Sequence, residues 1–119
     1  MPNAKFVPFD SVEHQERRPG VVLSSLVDGD AGATQISSGV AEFAIGASAP
    51  MHYHDAEESV IVVEGEGLMV IDGQEHIVHP NDAAFISPGA HHSVANHGNQ
   101  PFKISWTYAS INWSTTPVE

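Results

Sequence analysis

A chain of 119 residues has room for a single hydrophobic core. Only Lys5, Arg17, Arg18 and Lys103 offset 15 acidic residues, and the formal net charge of -11 leaves no electrostatic footprint for nucleic acid or anionic lipid; phosphorylated sugars, which call for basic clamps, lose ground for the same reason. With no cysteine, disulfides, zinc ribbons and thiol catalysis are excluded together. No N-terminal stretch joins basic residues to an apolar run and none approaches the eighteen or so apolar residues of a membrane span, so a cytoplasmic location is the default expectation.

In chain order, residues 1–20 mix proline, charge and a few apolar positions, and Glu13 to Arg18 is too polar for a core; this is an arm or a first edge strand. Val21 to Val27 is expected as a strand ending at the turn Asp28-Gly29-Asp30-Ala31-Gly32, and Ser38 to Ile45 as the next. Ser59 to Glu64 and Leu68 to Ile71 follow, then the hairpin signal Asp72-Gly73, and Glu75 to His79. Ala83 to Ile86 leads into Pro88-Gly89, His92 to Asn96 comes next, and Phe102 to Ala109 closes the series. Short strands at regular spacing, punctuated by glycine and proline, indicate an all-β sandwich or barrel with little helix.

Between the second and third of these strands lies a spaced set of metal-ligand residue types, His52, His54 and Glu58, with His92 as a fourth candidate. On an extended strand His52 and His54 point the same way, their Cα atoms roughly 7 Å apart, and two such imidazoles can converge on one ion. Glu58 would lie roughly 13 Å from His54 on a straight strand. The chain must therefore turn at Asp55-Ala56-Glu57, where Asp suits a local side-chain bond to backbone, so that Glu58 begins the returning strand beside the histidines. Glu57 then faces the other way. A lone His-x-His is more often surface polarity; it is the company of Glu58 and His92 that points to a site.

The stretch Gly46 to Gly65 and the stretch Asn81 to Asn96 together resemble the two motifs of the cupin superfamily. The first motif is matched at Gly46, His52, His54, Glu58 and Gly65. The second is matched at Gly89, His92 and Asn96, with Asn81 in place of the leading glycine and Ser87 in place of a proline. Asparagine tolerates left-handed backbone better than other non-glycine residues, so the first departure threatens the turn little. His91 is the rival of His92, and the count from Gly89 and to Asn96 selects His92. The resemblance implies that His52, His54, Glu58 and His92 bind one divalent metal inside a small jelly-roll barrel. It implies one domain, with residues 1–37 as arm and first strands, 38–110 as the barrel and 111–119 as a C-terminal tail.

Alternation along Phe102-Lys-Ile-Ser-Trp-Thr-Tyr108 turns Trp106 and Tyr108 inward, where with Met51 and Phe85 they wall a cavity above the metal or simply fill the core. Asn96 is either a turn residue or a partner that orients a ligand, and Tyr108 is the one candidate for a base independent of the metal. Strands apolar on both faces, such as Val60 to Val63, need a cover, and cupins of this size are commonly homodimers. Three imidazoles and a carboxylate suit Fe²⁺ and Mn²⁺ first, with Zn²⁺, Ni²⁺ and Co²⁺ compatible. The expected activity on a small neutral or metal-chelating molecule is that of an oxygenase. A redox-neutral isomerase or lyase, or a non-catalytic binding protein, are the alternatives, because one fold carries many functions.

Overall fold

The last long strand shows how the chain folds. From Phe102 to Tyr108 apolar residues alternate with Lys103, Ser105 and Thr107, and burial alternates with them without a break. A strand can satisfy such a pattern only with one face on a core. In the computed structural model, which describes Pro2 and residues 4–118, this strand is the middle of a sheet. Met1, Asn3 and Glu119, which belong to the expected arm and tail, lie outside the described residues.

The strands are β1 (His14–Arg18), β2 (Val21–Val27), β3 (Ser37–Phe43), β4 (Ser48–His54), β5 (Glu58–Glu64), β6 (Gly67–Ile71), β7 (Gln74–Val78), β8 (Ala83–Ile86), β9 (His92–Asn96), β10 (Phe102–Tyr108) and β11 (Thr115–Pro117). Two short 3-10 turns, Phe9–Ser11 and Gly29–Ala31, are the helical content of the described residues. One sheet has the order β1-β2-β3-β10-β5-β8 and the other β11-β4-β9-β6-β7. All pairings are antiparallel. Phe43, Val60, Val62, Met69, Ile86, Val94, Phe102, Ile104 and Trp106 fill the space between the two sheets.

The expected all-β barrel is therefore the observed one, and its strand ends differ by a residue or two for local reasons. The strand expected to Ile45 stops at Phe43, because the chain turns through Gly46 at φ 80° and leaves Ile45 exposed. The strand expected to His79 stops at Val78, since the His79 amide donates to Asp82 Oδ2 at 2.8 Å and enters the next turn. Asp72 and Gly73 both take positive φ, as their hairpin requires. Asn81 does the same at φ 78°, filling the turn where the motif has glycine. The segment expected as a C-terminal tail is instead built into the fold. Its residues Thr115, Thr116 and Pro117 pair with His54, Tyr53 and His52 as an edge strand.

Gly65 is held by both conformation and space. Its φ is 81°, and a Cβ placed there would meet the Pro101 carbonyl oxygen at 2.3 Å. Gly73 has the same φ but open space around it. Replacing Gly65 with Ala should therefore cost about 2 kcal/mol or more in urea unfolding, against about 1 kcal/mol for Gly73→Ala, where left-handed strain acts alone. Equal costs would mean that the crowding against Pro101 is relieved by backbone movement.

Candidate metal centre

Which face of β4 looks inward is decided by one extra residue. Ala49 pairs with Val94 and His52 with His92, so Pro50 and Met51 on β4 oppose the single Ser93 on β9. This two-against-one count is a β-bulge. Simple alternation from the inward Ala49 would have turned Met51 and Tyr53 inside; the inserted residue resets the phase, so that His52 and His54 face the cavity. Pro50, which has no amide to give to a ladder, suits the position. After His54 the chain turns at Asp55-Ala56-Glu57, and Glu58 opens β5 directly opposite Tyr108 of β10. Asp55 does not make the local bond expected of it. Its Oδ1 accepts from the Ser114 amide at 2.8 Å and so ties this turn to the C-terminal segment.

Three imidazoles converge as a result. The ring centroids of His52, His54 and His92 lie 4.2 to 5.0 Å apart, and one nitrogen from each lies within 4.8 Å of the others, close enough to hold a metal ion. Their tautomers follow from their partners. Nδ1 of His52 meets the Pro50 carbonyl at 2.7 Å, Nδ1 of His92 the Ala90 carbonyl at 2.9 Å, and Nδ1 of His54 the Ser114 carbonyl at 3.2 Å. A carbonyl oxygen can only accept. The Nδ1 of His52 and of His92 must therefore carry the proton, and in the neutral ring each of their Nε2 atoms is left with a lone pair for the common point, whereas His54 Nδ1 also has the Thr115 hydroxyl at 3.0 Å.

Glu58 adds oxygen to that point. Its Oε1 lies 3.4 Å from His92 Nε2 and 3.6 Å from His54 Nε2, is buried, and has no hydrogen-bond donor. A buried carboxyl oxygen without a donor, facing imidazole lone pairs, is costly as an isolated arrangement. A cation between these atoms satisfies all of them. The acid–base balance agrees, since burial, chiefly, pushes His52 down to about 4 and also lowers His54, which keeps both rings neutral and able to coordinate.

The Tyr108 hydroxyl sits 3.1 Å from His54 Nε2 and, where that nitrogen is the acceptor, donates to its single lone pair, so that coordination by His54 would send this hydroxyl to another acceptor. Burial first, and then the Glu58 carboxyl, push its pKa well above the ordinary phenol value. The raised pKa keeps Tyr108 a neutral phenol, which disfavours the role of base for which it is the one candidate.

A cavity of about 600 Å³ opens beside the four residues. Met51, Trp106 and Tyr108 line it as expected. Phe85 does not. It lies 64% exposed on the outer face of β8, because the pairing of Glu58 with Ile86 turns Ile86 inward and its neighbour out. Asn96 does not orient a histidine either: its Nδ2 donates to the Phe43 and Gln100 carbonyls and its Oδ1 accepts from the Gly98 amide, closing the β9–β10 turn. His91 and Glu57 are exposed, with His91 stacked on Tyr53.

The residues that sequence reading missed come from the C-terminal segment. Trp113 stacks on Tyr108 at 4.2 Å and meets the His54 ring edge-on at 5.6 Å. Ser114 and Thr115 supply the partners of His54 Nδ1. An aromatic residue in a short segment without periodicity carries no signal of this placement.

Residues 39–108 match the Cupin_2 family, described as a cupin domain. The chain belongs to the cupin family. Among curated proteins this cupin is similar to the tetracenomycin polyketide synthase protein TcmJ of Streptomyces glaucescens, with 28% identity over 99 residues, 82% of this chain and 66% of that protein. It thus spans about two thirds of that relative's length. Among solved structures it is similar to the polyketide cyclase RemF of Streptomyces resistomycificus, with a TM-score of 0.85, 24% identity, and coverage of 98% of this chain and 87% of that one. An oxalate oxidase in complex with glycolate shares the fold at a TM-score of 0.76 and 24% identity, over 85% of this chain and 57% of that one.

The lowered His52 value has a measurable consequence in protein stripped of metal. Below 6.5 the unfolded chain takes up a proton at this residue that the folded one refuses until about 4, so the unfolded state binds more protons in that window and stability falls as pH falls through it. Replacing His52 with Gln should flatten the urea midpoint between pH 6.5 and pH 4 relative to the parent protein. A parent midpoint that does not move across this range would show that His52 is protonated as readily folded as unfolded.

Proposed function

We propose that this cupin is a metal-dependent enzyme that holds one divalent ion with His52, His54, Glu58 and His92 and carries out a redox-neutral cyclisation, isomerisation or lyase step on a small, oxygen-bearing, largely apolar molecule of polyketide type. The observation that carries the reading is the composition of the cavity. Trp106, Tyr108 and Trp113 form a contiguous aromatic wall on the same space that the histidines and Glu58 enter. Such a wall recognises a flat, unsaturated ligand by stacking. The likeness to a polyketide synthase protein and to a polyketide cyclase supports the same substrate class.

An ion in this donor set acts as a Lewis acid on carbonyl oxygen, and nitrogen with one carboxyl oxygen suits Fe²⁺, Mn²⁺, Co²⁺, Ni²⁺ or Zn²⁺. The chain's own residues supply the rest. The aromatic wall orients the ligand and keeps water from it. Tyr108, held as a neutral phenol, offers a hydrogen bond to an oxygen that gains charge during reaction. Trp106 lines the cavity with a buried Nε1–H that lacks an acceptor, which a ligand oxygen would provide.

The test is turnover of a panel of 1,3-diketones and longer poly-β-ketones under argon, with protein loaded with Zn²⁺ or Mn²⁺. Product formation without oxygen is expected. His92→Ala and Glu58→Gln should each lose metal by elemental analysis and lose more activity than the roughly 10- to 100-fold typical of residues that only support a ligand. The second reading, an oxygenase, is favoured by the combination of three histidines with one carboxylate, which leaves a six-coordinate ion two free positions. Turnover that requires both Fe²⁺ and oxygen would establish it in place of the first. Metal retained by both variants would sink the ligand assignment under either reading.

We also propose a homodimer. Ile61, Val63 and Phe85 lie 45%, 48% and 64% exposed on the outer faces of neighbouring strands β5 and β8, a patch of the kind that marks association surfaces. Light scattering at micromolar concentration should report twice the 12.7 kDa chain mass, and Phe85→Glu should shift it to the monomer. A parent protein that scatters as a monomer refutes the dimer.

A further inference from the structure

We infer that the ligand carries a carboxylate remote from its metal-binding end, and that Arg17 and Arg18 at the cavity rim receive it. The inference rests on the reading that this cavity is the substrate site. The chain has four basic residues among 119, and two of them line this one cavity. Both belong to the fully exposed edge strand β1, so they stand at the mouth, across from Pro117 and Val118 at the end of the other sheet.

Adjacent residues on a regular strand point to opposite faces. Here Glu16 pairs with Val22 and Arg18 with Val21, which leaves Arg17 as an extra residue in a bulge. The bulge breaks alternation, and both arginines line the same opening, Arg17 bordering a neighbouring hollow as well. The turn behind them is tied, because Glu16 Oε2 accepts from the Gly20 amide at 3.0 Å. Among the described residues neither arginine forms an ion pair within 4.0 Å, despite the acidic surplus of the chain. Glu58, in the metal cluster, is the one acidic residue that lines the cavity. An apolar, aromatic chamber with a metal-ligand cluster inside and two unpaired guanidinium groups at the rim fits a molecule that is oxygen-bearing at one end, flat in the middle and carboxylate at the other. Guanidinium binds carboxylate through two parallel hydrogen bonds. A phosphate would call for further donors such as a helix N-terminus, and the described residues contain no α-helix.

The experiment uses ω-(3,4-dihydroxyphenyl)alkanoic acids of increasing chain length and their uncharged amides, titrated calorimetrically under argon into Zn²⁺-loaded and metal-free protein. The catechol end probes the ion and the far end probes the rim. At the best chain length the acid should bind about tenfold tighter than its amide, and in the R17Q/R18Q variant this ratio should fall to about one with the amide affinity unchanged. Both residues are exposed, so the variant keeps its fold, and circular dichroism verifies that. Equal affinity for acid and amide at every length, a ratio that survives in R17Q/R18Q, or no saturable binding of any acid would each overturn the proposal. A difference between loaded and metal-free protein reads the ion separately. If the acid preference persists where that difference is absent, the rim stands and the metal reading fails.

Discussion

One residue of excess in β4 over β9 governs the functional half of this molecule. Strand alternation is rigid, so a chain that places Ala49 against the core is committed to Met51 and Tyr53 on the same face unless something intervenes. The bulge at Pro50 and Met51 intervenes. Downstream of it His52 and His54 share the inner face with His92, their cross-strand neighbour, and Met51 still borders the cavity. The local cost of an interrupted ladder is offset by placing three ring nitrogens at one point. Glu58 could not join them without the turn that follows, and that turn is reached in phase only because the bulge precedes it.

The electrostatic character of the centre follows from where each imidazole spends its proton. His52 and His92 each give Nδ1–H to the carbonyl two residues earlier. That leaves acceptors facing acceptors around a buried carboxyl oxygen. Desolvation disfavours protonation of His52 and His54. The arrangement is one that could hold a cation. Tyr108, a neutral phenol, stands within hydrogen-bond distance of His54.

Much of this was legible in the sequence. The motif count that the cupin resemblance supplies separated His92 from His91, and period-two alternation separated Glu58 from Glu57. Short runs between glycine and proline turns gave most of the strands, and alternation gave the inward face of β10. The errors have a common cause, which is that inward and outward phase depends on a partner strand. Phe85 and Ile86 are equally plausible inward residues until the register with β5 is known. Asn96 matched its motif position, yet its role is set by carbonyls of Phe43 and Gln100, which spacing does not reveal. Arg17 and Arg18 were read correctly as too polar for a core. That a bulge places both of them along one cavity is a property of the fold alone.

The C-terminal segment shows the same limit in its strongest form. His52 and His92 are oriented by their own strands, but His54 takes its carbonyl from Ser114, 60 residues away in the chain. The segment that supplies it also stacks Trp113 on Tyr108, anchors the turn through Asp55, and pairs β11 with the strand that bears two of the histidines. Orientation of one metal-ligand candidate, one member of the aromatic wall and one side of the cavity therefore rest on the C-terminal segment, whose strand β11 buries little of its own surface. Short, exposed edge strands open at low free energy. Any movement of β11 that admits a ligand would loosen His54 as it does so, and a ligand that stacks on Trp113 would hold both in place. One side of the cavity and the orientation of His54 thus share the C-terminal segment.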